Sequence, residues 1–113
     1  MQEAPRDAAG VFPLVIDVVA EPPRATVRVS GELDLFTAPA LERRLDALRG
    51  AGCRHVDLDM AGVTFLAAAG LTVLARADRD YRAVPGRVLL AGTTRACRRL
   101  LALSGLAGML RTR

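Results

Sequence analysis

Few side chains in this 113-residue chain could do chemistry, and their spacing narrows what that chemistry is. There are two cysteines, Cys53 and Cys97, and a single histidine, His55. A structural zinc site takes about four Cys or His ligands, commonly with CxxC spacing. That pattern is missing, so no metal site is expected. Cys53 and His55 bracket one residue at the start of a strand-like stretch, which points both to one side by the period of two. We read this as an accident of register rather than a Cys–His nucleophile, and expect two reduced thiols of a cytosolic protein. Asp57 and Asp59 share one face of that same stretch, but they do not meet in a common loop as paired catalytic carboxylates would. There is also no glycine-rich phosphate loop and no nucleophile beside a base. On these residues an enzyme is not expected, and no cofactor is expected either.

The positioning elements follow from periodicity. Leu14 to Val19 reads as a first strand, ended by Glu21-Pro22-Pro23. Ala25, Val27 and Val29 alternate with Thr26, Arg28 and Ser30 in a second strand, paired antiparallel with the first. Gly31-Glu32-Leu33-Asp34 then leaves the sheet. Thr37 is the expected N-cap of a helix with Pro39 in its first turn. Leu41, Leu45 and Leu48 mark its apolar stripe, and Gly50 and Gly52 its end. A third strand is expected over Arg54 to Met60, followed by the loop Gly62 to Gly70. The next helix runs to about Val84, with Leu71, Leu74, Ala75, Asp78 and Tyr81 along one broad face. Pro85-Gly86 stops it, and Arg87 to Ala91 forms another strand. Thr93 or Thr94 caps a last helix with Ala96, Leu100, Leu101 and Leu103 on its apolar face. Ser104-Gly105-Leu106 ends this helix, and a short tail with Met109 and Leu110 closes the chain.

The order β-β-α-β-α-β-α implies an α/β fold built on a mostly parallel, mixed sheet of four to five strands with three to four helices. Functional loops then lie at the carboxyl ends of the strands: Gly31–Thr37, Gly62–Gly70 and Gly92–Arg95. Residues 1–12 read as a loose leader and 13–113 as one domain. Apolar residues are 51% and charged residues 25% of the chain, the balance of a folded globular protein. Aromatics are only 4%, so the core must be built from Leu, Val and Ala. The net charge is +4, and every basic residue is Arg. The densest cluster, Arg95, Arg98 and Arg99, has no interleaved aromatics, which argues against a nucleic-acid platform. Nothing approaches the roughly 18 apolar residues of a membrane span. The opening MQEAPRDAAG lacks the apolar run of a signal peptide. A cytoplasmic location is expected.

Several segments, in order over Leu14 to Leu110, give this chain a resemblance to the STAS domain family, and within it to bacterial anti-sigma factor antagonists. They are V-S-G-E-L-D (Val29 to Asp34), the helix start Thr37-Ala38, and V-T-F-L-x-x-x-G-L (Val63 to Leu71). P-G-x-V-x-L (Pro85 to Leu90) and R-R-L-L-x-L-S-G-L (Arg98 to Leu106) complete the set. The resemblance implies a STAS-like fold and a partner, an anti-sigma factor that is a GHKL-type serine kinase, whose binding regulates transcription by freeing a sigma factor. The implied partner-binding residues are Asp34, Thr37, Ala67, Ala68, Ala69, Gly70 and Leu71.

In the family the kinase phosphorylates a Ser or Thr in the turn before the second helix, in a pattern resembling D-S-[SA]-G-L. Here Ala67 stands at the Asp position and Ala68 at the phosphoacceptor position, so phosphorylation there is not expected. Thr64 and Thr72 flank the turn as weaker substitutes, each better read as a local backbone hydrogen-bonding group. Asp34 reads equally well as an Asx-type turn or cap near Thr37. Other family members resemble accessory subunits of lipid or anion transporters, or scaffolds in stress-signalling complexes. Oligomeric state is left open by the sequence.

Overall fold

The computed structural model describes residues 14–111, so the expected leader over residues 1–12 lies outside the described residues. Two alternating runs open the fold: β1 (Val15–Glu21) and β2 (Arg24–Leu33) pair antiparallel from Val15↔Ser30 to Glu21↔Arg24. In β2 every inward residue is apolar: Ala25, Val27, Val29 and Leu33 are buried, while Thr26 and Arg28 face solvent.

Helix α1 (Ala38–Gly50) buries Ala38, Leu41, Leu45 and Leu48, the stripe expected from three- and four-residue steps. Full burial of each leucine is worth about 1.5–3 kcal/mol. Its end is a Schellman motif: the Cys53 N–H donates to Leu48 O at 2.9 Å and the Gly52 N–H to Arg49 O at 3.2 Å. That closure places Gly52 at a φ of +97°, which glycine adopts without strain.

β3 (His55–Leu66) is much longer than the Arg54 to Met60 expected from its alternation. Residues 62–66, read as part of a loop, stay in the sheet by pairing with the far end of β2: Ser30↔Gly62, Gly31↔Val63, Glu32↔Phe65 and Leu33↔Leu66. Two register shifts, between Arg28 and Ser30 and between Gly31 and Glu32, each leave an extra residue in β3. Such bulges break the period of two while preserving the strand, which is why alternation alone ended it early.

Helix α2 (Ala68–Arg82) buries Gly70, Val73, Leu74, Ala77 and Tyr81. The expected face therefore holds at Leu74 and Tyr81 but is corrected elsewhere: Ala75 is exposed, and Leu71 and Asp78 are half-buried. Tyr81 is fully buried, and its hydroxyl donates to Leu45 O at 2.7 Å, joining α2 to α1. Burial pushes its phenol up to about 12.

β4 (Arg87–Ala91) pairs parallel with β3 from His55↔Arg87 to Asp59↔Ala91. Helix α3 (Arg95–Leu103) is capped by Thr94, whose Oγ1 accepts from the Cys97 N–H at 3.1 Å. Only Leu101 of α3 is buried, and Leu103 is 78% exposed, so the broad apolar face expected there is not made. The closing segment is no loose tail. It forms a 3-10 turn (Ala107–Met109), buries Met109, and sets Leu110 beside Leu90 in a parallel bridge.

The sheet order is β1-β2-β3-β4, with one antiparallel and two parallel pairings. Both parallel crossovers step the same way across the sheet, so right-handed connections put α1 and α2 on one face. The opposite face carries no helix from these crossovers, and Val15 and Val19 of β1 are exposed.

Candidate functional site

The site expected at the carboxyl ends of the strands lies where the extended β2 and β3 run into α1 and α2. Asp34 follows β2 directly. Its Oδ1 accepts from the Phe36 N–H at 2.9 Å and the Thr37 N–H at 3.1 Å, an Asx-type turn. Thr37 is buried, and it does not cap α1 through its side chain. Its hydroxyl instead donates to Glu32 O at 2.6 Å and accepts from the Asp34 N–H at 2.9 Å. The backbone explains the difference. Thr37 has helical angles (φ −101°, ψ −25°) rather than the extended ones of a capping residue. Thr37 therefore ties the loop together from within.

The Ala67–Leu71 turn is pinned to β2 by the Ala67 N–H, which donates to Leu33 O at 2.9 Å. Ala67 is the N-cap of α2 in position and in its extended ψ of 173°, but it has no oxygen with which to cap. The first-turn N–H groups of α2 thus lack a side-chain acceptor. Ala68 is exposed, Ala67, Ala69 and Leu71 are half-buried, and Gly70 is buried. Gly70 is there for space: a Cβ at this position would lie 2.8 Å from both Leu33 Cγ and Leu66 Cδ1.

The two flanking threonines differ. Thr72, the fifth residue of α2 and so beyond its first turn, donates its hydroxyl to Ala68 O at 3.1 Å. Thr64 lies within β3 and is exposed.

Three apolar side chains that the motif reading did not single out dominate the surface. Leu35 is 70%, Phe36 69% and Phe65 55% exposed. Leu35 and Phe36 sit in the loop between Asp34 and Thr37. Phe65 is carried outward after the second bulge of β3. Phe36 precedes the N-cap, where an apolar residue commonly packs on the helix's fourth position, here Leu41. Its exposure shows that this staple is not closed. A sequence signal existed: two consecutive large apolar residues in a short polar loop have no strand or helix face to bury them.

Two shallow grooves adjoin the turn. One, of about 340 Å3, runs between α1 and α2 and is lined by Leu35, Ala38, Pro39, Ala69, Thr72 and Val73, among others. The other, of about 230 Å3, lies between the end of β3 and α3 and is lined by Val63, Phe65, Leu66, Cys97 and Leu100, among others. Burial raises the Cys97 thiol above its ordinary value.

The remaining reactive side chains lie elsewhere. Cys53 is fully buried, with its Sγ 3.8 Å from Arg24 O, whereas His55 is exposed on the open face of the sheet. The expectation that they point to one side is corrected. Cys53 precedes β3, in the turn closing α1, so the strand period does not govern it. Asp57 and Asp59 do share the open face, but each is matched with an arginine: Arg111 at 2.7 Å and Arg28 at 3.5 Å.

The arrangement is a turn without polar side chains, with exposed apolar groups on the neighbouring loop and strand end. Residues 16–112 match the family model described as Mlab, STAS domain. An anti-sigma-B factor antagonist of Staphylococcus epidermidis is 27% identical over 84 residues, which cover 74% of this chain and 78% of that protein. An anti-sigma factor antagonist from Mycobacterium paratuberculosis is 31% identical, covering 86% of this chain and 82% of its own, with a TM-score of 0.72. The anti-sigma factor antagonist SpoIIAA in its unphosphorylated form shares the fold, with a TM-score of 0.76 at 18% identity and 86% coverage of each chain. No helix among the described residues is long and apolar enough to cross a membrane.

Proposed function

This chain belongs to the STAS domain family, and on that premise we propose that it is a non-catalytic protein that binds an anti-sigma factor. The names of its relatives support that partner. The observation that carries the reading is the exposure of Leu35, Phe36 and Phe65 around the Ala67–Leu71 turn. Exposed aromatic and aliphatic anchors beside a flat, small-residue surface suit a protein partner, because such anchors supply most of the energy of an interface. Asp34, Thr37 and Gly70 shape that surface, and Ala67, Ala68, Ala69 and Leu71 form its floor.

The partner in this reading is a GHKL-type serine kinase, and the complex is not broken by ATP. A phosphate on a hydroxyl in the turn would add about −1.5 to −2 charges at the centre of the contact and expel the partner. Ala68 has no atom to accept it. Thr64 and Thr72 are the exposed hydroxyls flanking the turn, and that of Thr72 is engaged by Ala68 O.

Titration calorimetry with the anti-sigma factor encoded in the same genome tests this directly. Binding is expected with and without ATP. Phe36→Ser with Phe65→Ser should weaken it about tenfold or more, while moving stability by only a few tenths of a kcal/mol, about what exposed sites tolerate. Release on adding ATP, with phosphate on Thr64 or Thr72, would defeat the ATP-insensitive form. Absence of binding would sink the anti-sigma reading as a whole and favour a transporter subunit or scaffold.

A further inference from the structure

The open face of the sheet carries its charged residues in register. In the third row from the strand starts, Arg28 of β2 is 3.5 Å from Asp59 of β3. In the second, Asp57 is held by Arg111 at 2.7 Å. The first row differs: Arg24, His55 and Arg87 stand side by side across β2, β3 and β4, with no carboxylate among them. Glu21 faces Arg24 from β1 but does not line the space above the row.

We propose that this end of the open face binds a small phosphorylated molecule. Arg24, His55, Arg87 and Arg111 line an open cleft of about 520 Å3, together with Asp57 and an apolar wall that includes Leu89 and Leu110. That volume falls in the range of about 300–1,000 Å3 typical of small-ligand clefts. The cleft lies at the starts of the parallel strands, away from the Ala67–Leu71 turn at their far ends.

The charge balance sets the ligand class. With Asp57 engaged by Arg111, Arg24 and Arg87 form no salt bridge with any carboxylate among the described residues. Arg87 is under-used: one Nη2 bond reaches Gly108 O at 2.9 Å, while its Nε is shielded from solvent and meets no acceptor among the described residues. A shielded donor on a charged group is costly to leave unpaired, and a guanidinium attracts an oxyanion by charge-assisted hydrogen bonding. A phosphomonoester carries about −1.5 to −2 charges at neutral pH. It would match both guanidinium groups, and a short apolar substituent would lie against Leu89 and Leu110.

The test is an amide-shift titration of the isotopically labelled full chain with inorganic phosphate and, in parallel, butyl phosphate, each against sodium chloride at equal ionic strength. Saturable shifts are expected at His55, Arg87 and Gly108, with the Ala67–Leu71 amides unmoved. The butyl ester should bind the more tightly; equal binding would retain the site and assign it to free phosphate. Arg87→Gln should weaken binding by about tenfold or more, as loss of a hydrogen bond to a charged group does. Arg24→Gln, at an exposed position, should do so with the fold undisturbed. Shifts that follow ionic strength alone, or that survive both substitutions, would overturn the proposal.

Discussion

Replacing Gly70 with alanine sets two well-scaled effects against each other. Gly70 is the third residue of α2, and alanine there should favour the helix by about 1 kcal/mol. Against this, the new methyl would lie 2.8 Å from Leu33 Cγ and Leu66 Cδ1 and 3.0 Å from Leu33 O, where carbon atoms rest at about 3.5–4.0 Å. Leu66 meets it with a terminal methyl, which can swing aside. Leu33 cannot yield in that way: it is fully buried, and its carbonyl accepts the Ala67 N–H at 2.9 Å. Overpacking of this kind costs about 1–3 kcal/mol, and the immobility of Leu33 puts the cost toward the upper end. The expected net loss is about 1–2 kcal/mol. In urea unfolding the midpoint should fall with the slope unchanged. In thermal unfolding Tm should fall by about 4–8 °C per kcal/mol. The strain is relieved by moving the start of α2 away from β2, so binding of the anti-sigma factor should weaken as well. A Gly70→Ala protein as stable as the parent, or more so, would refute the reasoning.

Other expectations follow from the same turn and from the core. Ala67→Asp should stabilise the protein by about 1 kcal/mol, since it gives α2 the N-cap oxygen that it lacks, measurable by urea unfolding. Combined with Ala68→Ser, it should make the turn a substrate of the proposed kinase partner in a phosphotransfer assay; failure with a kinase that binds the protein would show that the turn is not seated at the kinase's active site. Tyr81 is the single tyrosine of the chain, so tyrosinate absorbance reports it alone and should show a midpoint near 12 in the folded protein. Because its folded value lies above the ordinary 10.0, its contribution to stability is fully present below pH 10 and is lost as pH rises through about 12. Tyr81→Phe should abolish that alkaline loss, at a cost near 1 kcal/mol at neutral pH for the missing bond to Leu45 O.

The element order was legible because each segment carries strong local signals: strict alternation in Ala25 to Val29, leucines at helical steps in α1, Pro85-Gly86 after α2, and Thr94 before α3. What escaped was decided by contacts distant in sequence. The end of β3 is a strand because β2 pairs with it across two bulges, and no local pattern in Met60 to Leu66 announces that pairing. The buried face of α2 was displaced because Gly70 fits against Leu33 and Leu66, a steric fact invisible in a periodicity count. At the candidate site, the turn was found from its motif position, and the Asx role of Asp34 was one of two readings left open. Thr37 stands at the N-cap position of α1 as expected, but its hydroxyl is claimed by Glu32 O rather than by the helix. Leu35 and Phe36 lie outside the functional turn's motif, and Phe65, though inside the V-T-F-L segment, shows its outward placement only in the structure.

The unequal lengths of β3 and β4 have a consequence for how the molecule loosens. β4 ends its pairing at Asp59↔Ala91, while β3 continues to Leu66 with β2 on one side only. Among the described residues no strand pairs with the other side of residues 61–66, which leaves an edge of backbone donors and acceptors there. Here the nearby cover is α3, which meets Val63 to Leu66 across a groove and is held to the core by buried Leu101 and half-buried Cys97. Local opening should start where few apolar contacts must break, so lifting of α3 is a low-cost excursion from the folded state. Each excursion bares that edge beside Phe65. Self-association by strand addition is the hazard the molecule accepts in holding that aromatic ring outward.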